Sequence, residues 1–124
     1  MSQQGKIQLI IVFSCPPEHV AEGDSIFDSH AAFMASTHHR DGDKALLRYN
    51  LSKGPELANP LDPGSEETGN TLFTIMETYE SGAGVQDHWE QAGGSWSDLG
   101  SLVEWAGKCN VTTVHRSPIV HSLW

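Results

Sequence analysis

The sequence predicts an α+β domain in which helices cover one face of a four-stranded antiparallel sheet. Three observations carry that prediction. Apolar segments follow one another as strand, helix, two strands, helical stretches and strand. The strand segments are rich in β-branched residues and bounded by Gly, Pro and Asn, whereas the helical ones have a period near four. The 124 residues are enough for one core without staples, so a single domain over 1-124 is expected. The order is that of a ferredoxin-like split βαβ unit.

The first strand is expected over residues 6–14, where the near-continuous Leu, Ile, Val and Phe of "KIQLIIVFS" suit a strand covered on both faces. A helix follows, beginning near Pro16-Pro17-Glu18 or after Gly23, with Asp24 or Ser25 as cap, and stopping before "HHRDGD". "ALLRYNLSK" and "NTLFTIMETYE" are the second and third strands. Ser81-Gly82-Ala83-Gly84 makes a turn, and "VQDHWEQA" is helical up to a break at Gly93-Gly94. A second helical stretch, capped by Ser95 or Ser97, runs through Trp105, and "NVTTVHRS" is the fourth strand, limited by Pro118.

Two segments stand outside this pattern. Residues 54–69, "GPELANPLDPGSEETG", hold three Pro, three Gly and four acids with no Lys or Arg, and are expected as a long loop, either a lid or mobile decoration. The tail "PIVHSLW", 118–124, is apolar enough to pack or pair with something. On the third strand, Phe73, Ile75, Glu77 and Tyr79 share one face and Leu72, Thr74, Met76 and Thr78 the other. Neither is a solvated face, so a layer beyond the helices is expected, and a second copy of the chain is its simplest source.

Composition narrows the function. With 16 acidic residues against 7 Lys and Arg, the formal charge is -9, and the basic residues are scattered singly, which argues against nucleic acid or an anionic membrane as partner. The apolar run from Ile7 to Phe13 is too short to span a bilayer and is followed by Cys15-Pro16-Pro17 instead of a small-residue cleavage site; a cytoplasmic protein is expected. Cys15 and Cys109 lack metal spacing and are expected as small buried hydrophobes, although the antiparallel first and fourth strands would bring them close and leave a bridge open. The sequence contains no nucleotide loop, Ser-His-Asp order, paired-cysteine motif or flavin fingerprint, and no cofactor or metal is expected.

The stretch "FTIMETYES", a small-residue turn and "VQDHWEQA" together resemble the third strand and following helix of the antibiotic-biosynthesis-monooxygenase family, within the dimeric α+β barrel superfamily. The matching positions are Glu77, Tyr79, Glu80, Ser81 and His88. The resemblance implies a homodimer whose sheets face each other, with a small-molecule cavity between each sheet and its own helices. It also implies cofactor-independent oxygenation of an aromatic or polyketide-like substrate, or one of the family's other roles, haem degradation among them; the alternative is a non-catalytic small-molecule-binding or stress-associated dimer in which the histidines are structural. The 54–69 loop and the apolar tail depart from the family pattern.

Unrolling the first helix places Ile26, Phe27, His30, Phe33, Met34 and Thr37 on one stripe with His30 at its middle. His30 is therefore either a core histidine bonded to a carbonyl or hydroxyl, or a general base kept neutral by apolar surroundings. His38 lies at the stripe's edge and His39 faces away, a poor metal pair because adjacent helical residues diverge. In the next helix Val85, Trp89 and Ala92 are expected inward and His88 at the cavity rim; in the last, Trp96, Leu99, Val103 and Ala106 inward, with Trp105 off the arc at an interface. Glu77 alternates with apolar neighbours and needs a partner, expected to be Arg48 or, across a subunit interface, Arg116. His30 and His88 are thus the candidate catalytic residues, and Tyr49, Trp89, Phe33, Met34, Phe73 and Glu77 the candidate contacts for a small apolar or aromatic substrate.

Overall fold

The computed structural model describes residues 2–124. β1 (Ile7–Cys15), α1 (Val20–Thr37), β2 (Leu46–Leu57), β3 (Glu67–Tyr79), α2 (Gly82–Ser95), α3 (Leu99–Ala106) and β4 (Asn110–Pro118) follow in chain order, with a single 3-10 turn at Pro17–His19 leading into α1. The four strands form one sheet in the order β2-β3-β1-β4, every neighbouring pair antiparallel. This is the ferredoxin-like arrangement expected. Register aligns Leu9, Glu77 and Tyr49 across β1, β3 and β2 on the face toward the helices, with Phe13 and Phe73 aligned two rows away.

Several boundaries differ from the sequence expectation for identifiable reasons. Both ends of the expected 54–69 loop are strand: β2 runs to Leu57 and β3 begins at Glu67, so the connection between them is shorter than expected and spans residues 58–66. Glu56 holds the extended hairpin, accepting from Ser14 Oγ at 2.7 Å, Thr68 Oγ1 at 2.8 Å and Asn70 Nδ2 at 3.2 Å, and these donors keep its carboxyl below its ordinary pKa. Pro55 is tolerated because β2 is an edge strand. α1 begins at Val20, so Asp24 and Ser25 lie inside it and cap nothing. α2 begins at Gly82 with Ser81 as its cap, the Ser81 side chain accepting from the Ala83 N–H, and it continues through Gly93-Gly94. The tail starts as an extension of the sheet, with the Ile119 N–H donating to the Lys6 carbonyl at 2.8 Å and the Gly5 N–H to the Ile119 carbonyl at 2.9 Å, before Leu123 and Trp124 turn out to solvent.

The helical arcs also shift. Trp105, expected off the buried arc, is 0% exposed, while Val103 faces solvent. Its ring meets Phe13, Phe27 and Phe73 at centroid distances of 5.1, 5.5 and 5.2 Å, and its indole N–H donates to the His19 carbonyl at 2.9 Å. A short helix does not need a full stripe when one residue has both an aromatic socket and a hydrogen-bond acceptor. Space for it comes from Gly23, where an added Cβ would lie 2.6 Å from Trp105 and 2.9 Å from Phe73. Cys15 and Cys109 are both free thiols, side by side as the antiparallel pairing of β1 and β4 requires, and burial raises the pKa of each.

On the sheet face away from the helices, Ile10 lies between Met76 and Val114, and Met76 and Val114 remain exposed. No helix of the described residues is long and apolar enough to cross a membrane.

Alanine raises intrinsic helix propensity at a glycine position, yet Gly23→Ala should destabilise the fold by about 1–3 kcal/mol through overpacking against Trp105. Urea unfolding of the variant decides it; unchanged or greater stability would show that the aromatic socket yields.

Candidate functional site

The interior between sheet and helices has two ends. Around Phe73 it is packed solid by Phe13, Phe27 and Trp105. Phe73 therefore belongs to the core and is not free to line a cavity. The other end, around Glu77, is polar and draws His30 from α1, His38 from the α1 C-cap, Tyr49 from β2, Tyr79 from β3 and His88 from α2.

Glu77 is 1% exposed and His30 and His88 are 3% exposed. Neither Arg48 nor Arg116 reaches Glu77: its partners are the Tyr79 hydroxyl, which donates to Oε1 at 2.5 Å, and His88, whose Nδ1 is 3.8 Å away. No Lys or Arg among the described residues forms an ion pair with it. Burial accordingly pushes its pKa up to about 7, against the lowering effect of the Tyr79 hydrogen bond. Burial pulls His30 down to about 4, with the charge on His38 adding to it, and pulls His88 down to about 3, with His38 and His30 adding. Tyr49 and Tyr79 are both raised by burial and stay protonated.

The hydrogen-bond chain fixes one tautomer. Thr37 Oγ1 donates its only proton to the Phe33 carbonyl at 2.7 Å, so the contact of 2.9 Å with His38 Nδ1 has the ring as donor. His38, whose pKa burial lowers, then has an acceptor at Nε2, which takes the His88 Nδ1 proton across 2.9 Å. What remains on neutral His88 is a lone pair at Nε2, and that atom has no hydrogen-bond partner among the described residues. His30 shares a 2.8 Å hydrogen bond between its Nδ1 and the Tyr49 hydroxyl, and its Nε2 is likewise without a partner among the described residues.

His88 is therefore a buried member of the cluster instead of a rim residue, and Trp89, expected inward, is 37% exposed, tilted against His88 and His115 at 4.9 and 6.0 Å. The arc of α2 turns toward Val85, His88 and Ala92 because His88 finds polar partners inside. Gly84 brings the start of α2 down onto Tyr79, which an added Cβ would meet at 2.6 Å. Phe33 stacks on Trp96 at 5.8 Å and walls the cluster at His30, 6.5 Å away. Met34 is buried and, with Ala31, Ala35, Arg40, Leu46 and Tyr49, lines an open hollow of about 210 Å³ that meets the cluster at Tyr49.

His38, Tyr79 and Trp96 were not among the candidate catalytic or contact residues expected from the sequence. The extended backbone of His38 (φ -84, ψ 145) ends α1 and turns the ring inward, which a wheel of uninterrupted helix does not represent. His30, Glu77 and His88 each offer one ligand atom within 4.8 Å of the others. The expectation of no metal rested on the spacing of Cys and His residues along the chain, a test that cannot register three donors brought from α1, β3 and α2.

Among solved structures the chain matches a "putative antibiotic biosynthesis monooxygenase" from Caulobacter crescentus CB15, with 19% identity, 92% of each chain covered and a TM-score of 0.54. The two chains share a fold. That protein's description agrees with the resemblance carried by Glu77, Tyr79, Glu80, Ser81 and His88, reached through the backbone instead of the residues; at this identity what it establishes is the architecture. No family model matches the sequence, and no curated protein does.

The opposed shifts give a pH signature. The fold's preference for protonated Glu77 contributes stability fully below its ordinary value of 4.5 and loses it as pH rises through about 7. The depressed His30 and His88 act oppositely, their contribution being complete above 6.5 and lost as pH falls toward 4 and 3. In chelator-treated protein, the stability of Glu77→Gln relative to wild type should improve from pH 4.5 to about 7 and then level. A difference in urea midpoint that does not change with pH would contradict the burial of an ionisable Glu77.

Proposed function

We propose that the chain is a small-molecule enzyme of the monooxygenase type, acting on a compact aromatic or polyketide-like substrate, with the His30–Tyr49–Glu77–His88 cluster as its reacting centre. The observation that carries this reading is the 2.8 Å His30–Tyr49 hydrogen bond where the polar cluster meets the hollow at Met34 and Tyr49. A substrate in that hollow touches the Tyr49 hydroxyl, and a proton lost by the substrate passes through that hydroxyl to His30 Nδ1. Met34 and Leu46 supply the apolar wall that an aromatic ring would contact. Removal of a proton from an activated carbon would leave a carbanion able to give electrons to molecular oxygen, the chemistry that the resemblance implies. The shared fold with a protein described as a monooxygenase supports the assignment in its coarse form.

The working unit is a homodimer. Ile10, Met76 and Val114 form an apolar strip on the sheet face that the chain's own helices do not cover, and a second copy would bury it. Light scattering should give twice the 13.5 kDa chain mass at micromolar concentration; a monomer would remove this part of the reading.

A second reading, a non-catalytic small-molecule binder, is favoured by the solid packing of Phe13, Phe27, Phe73 and Trp105, which fills one end of the interior, while the hollow at Tyr49 offers space for a ligand. Oxygen uptake measured with a panel of hydroxylated polycyclic aromatics separates the two. The wild type should consume oxygen with at least one of them, and folded His30→Gln should be slower by about 100-fold or more. Unchanged uptake in that variant would overturn the assignment of His30, and binding without uptake across the panel would leave the second reading.

A further inference from the structure

We propose that His30, Glu77 and His88 form a binding site for one divalent transition-metal ion of the iron, cobalt and zinc type. The three donors come from three separate elements, converge within 4.8 Å of one another and are all buried. The binding claim stands on this geometry; its functional meaning rests on the cluster being the reacting centre.

Three features of the cluster suit an ion better than a purely structural role. The first is the lone pair on His88. The relay from the Phe33 carbonyl through Thr37 and His38 commits the His88 Nδ1 proton and leaves Nε2 as an unpartnered acceptor in a ring 3% exposed. With Nδ1 committed to His38, Nε2 is the ring atom left with a lone pair to offer a ligand. The second is charge. Glu77 has no Lys or Arg partner among the described residues, and a divalent cation would stabilise its ionised form where those residues supply none. The third is the outer layer. His30 Nδ1 is held by Tyr49, His88 Nδ1 by His38, and Glu77 Oε1 by Tyr79, which are the kinds of contact that orient ligands around a metal.

The donor set chooses the ion. Two neutral imidazoles and one carboxylate suit the first transition row and zinc, whereas magnesium and calcium prefer oxygen alone. With bonds of about 2.1 Å, neighbouring ligand atoms sit roughly 3.0–3.4 Å apart, so the side chains need only close from their present separation. Three protein ligands leave coordination positions for water or substrate, the pattern of a catalytic site, not of a closed structural one. The state of His30 differs from that in acid-base transfer. As a ligand through Nε2 it donates from Nδ1 to the Tyr49 oxygen; as a proton acceptor it receives from Tyr49 at Nδ1.

The test is a titration of the full, chelator-stripped chain with cobalt(II), followed through its visible absorption. One cobalt per chain should develop the bands of a low-coordinate nitrogen and oxygen site, and zinc should displace it. Folded Glu77→Gln and His88→Gln should bind at least about 10-fold more weakly, while the double variant of exposed His39→Gln and His121→Gln binds as wild type. No stoichiometric band in the wild type, or a band retained in both cluster variants, overturns the site. If those variants fail to fold, X-ray absorption on the wild-type cobalt complex decides: two imidazoles in the shell support the site, and an all-oxygen shell overturns it. A stripped chain that binds no cobalt but keeps His30-dependent oxygen uptake overturns the ion site and leaves the acid-base reading intact. Stoichiometric binding with no uptake by any substrate supports the ion site and removes that reading.

Discussion

A carboxylate on the inner face of a sheet has to be protonated, hydrogen-bonded or neutralised, and Glu77 places that demand where β3 meets two helices. Much of the polar end of the interior answers it. Tyr79, two residues along the same strand face, donates to the carboxylate; His88 is drawn in from α2 in place of the larger Trp89; and Gly84 lets α2 approach closely enough for this to happen. Because no Lys or Arg takes part, the charge balance is carried by groups whose protonation is itself shifted by burial. Such a seam between sheet and helix has little packing redundancy and a large chemical repertoire.

α1 joins the two ends of the interior. Its first two turns, through Gly23 and Phe27, seat the Trp105 ring, while farther along His30 and Phe33 face the polar cluster. The aromatic end is rigid because Trp105 is fixed by packing and by a hydrogen bond to the His19 carbonyl together. That rigidity determines where His30 sits relative to Tyr49, since both depend on α1 lying against the sheet at one height. A gap at Gly23 and a histidine seven residues later are therefore parts of the same arrangement, one making room and the other using the position that results.

Much of the architecture was legible in local sequence. The β-branched run of β1, the alternation along β3 and the apolar stripe of α1 each reported their own element correctly, and His30 was located in the core from periodicity alone. The hairpin extension was not, because it depends on Glu56 gathering donors from Ser14, Thr68 and Asn70, two of which lie on the far side of a turn and one on another strand. Trp105 and Trp89 exchanged their expected exposures for a similar reason. A helical wheel ranks residues by angle, and the actual choice was made by a socket at Gly23 in one case and by polar partners for His88 in the other.

Sequence by itself determined the strand and helix order, the antiparallel topology that follows from it, and the placement of Glu77 and His30 toward the interior, since each rests on backbone periodicity and chain connectivity. Only the tertiary structure decided that Glu77 would have histidines and tyrosines around it in place of an arginine, that His38 would turn inward at the end of α1, and that three donors from α1, β3 and α2 would converge. Side-chain encounters between elements distant in the chain depend on register and packing distance, and neither is written in the spacing of any one segment.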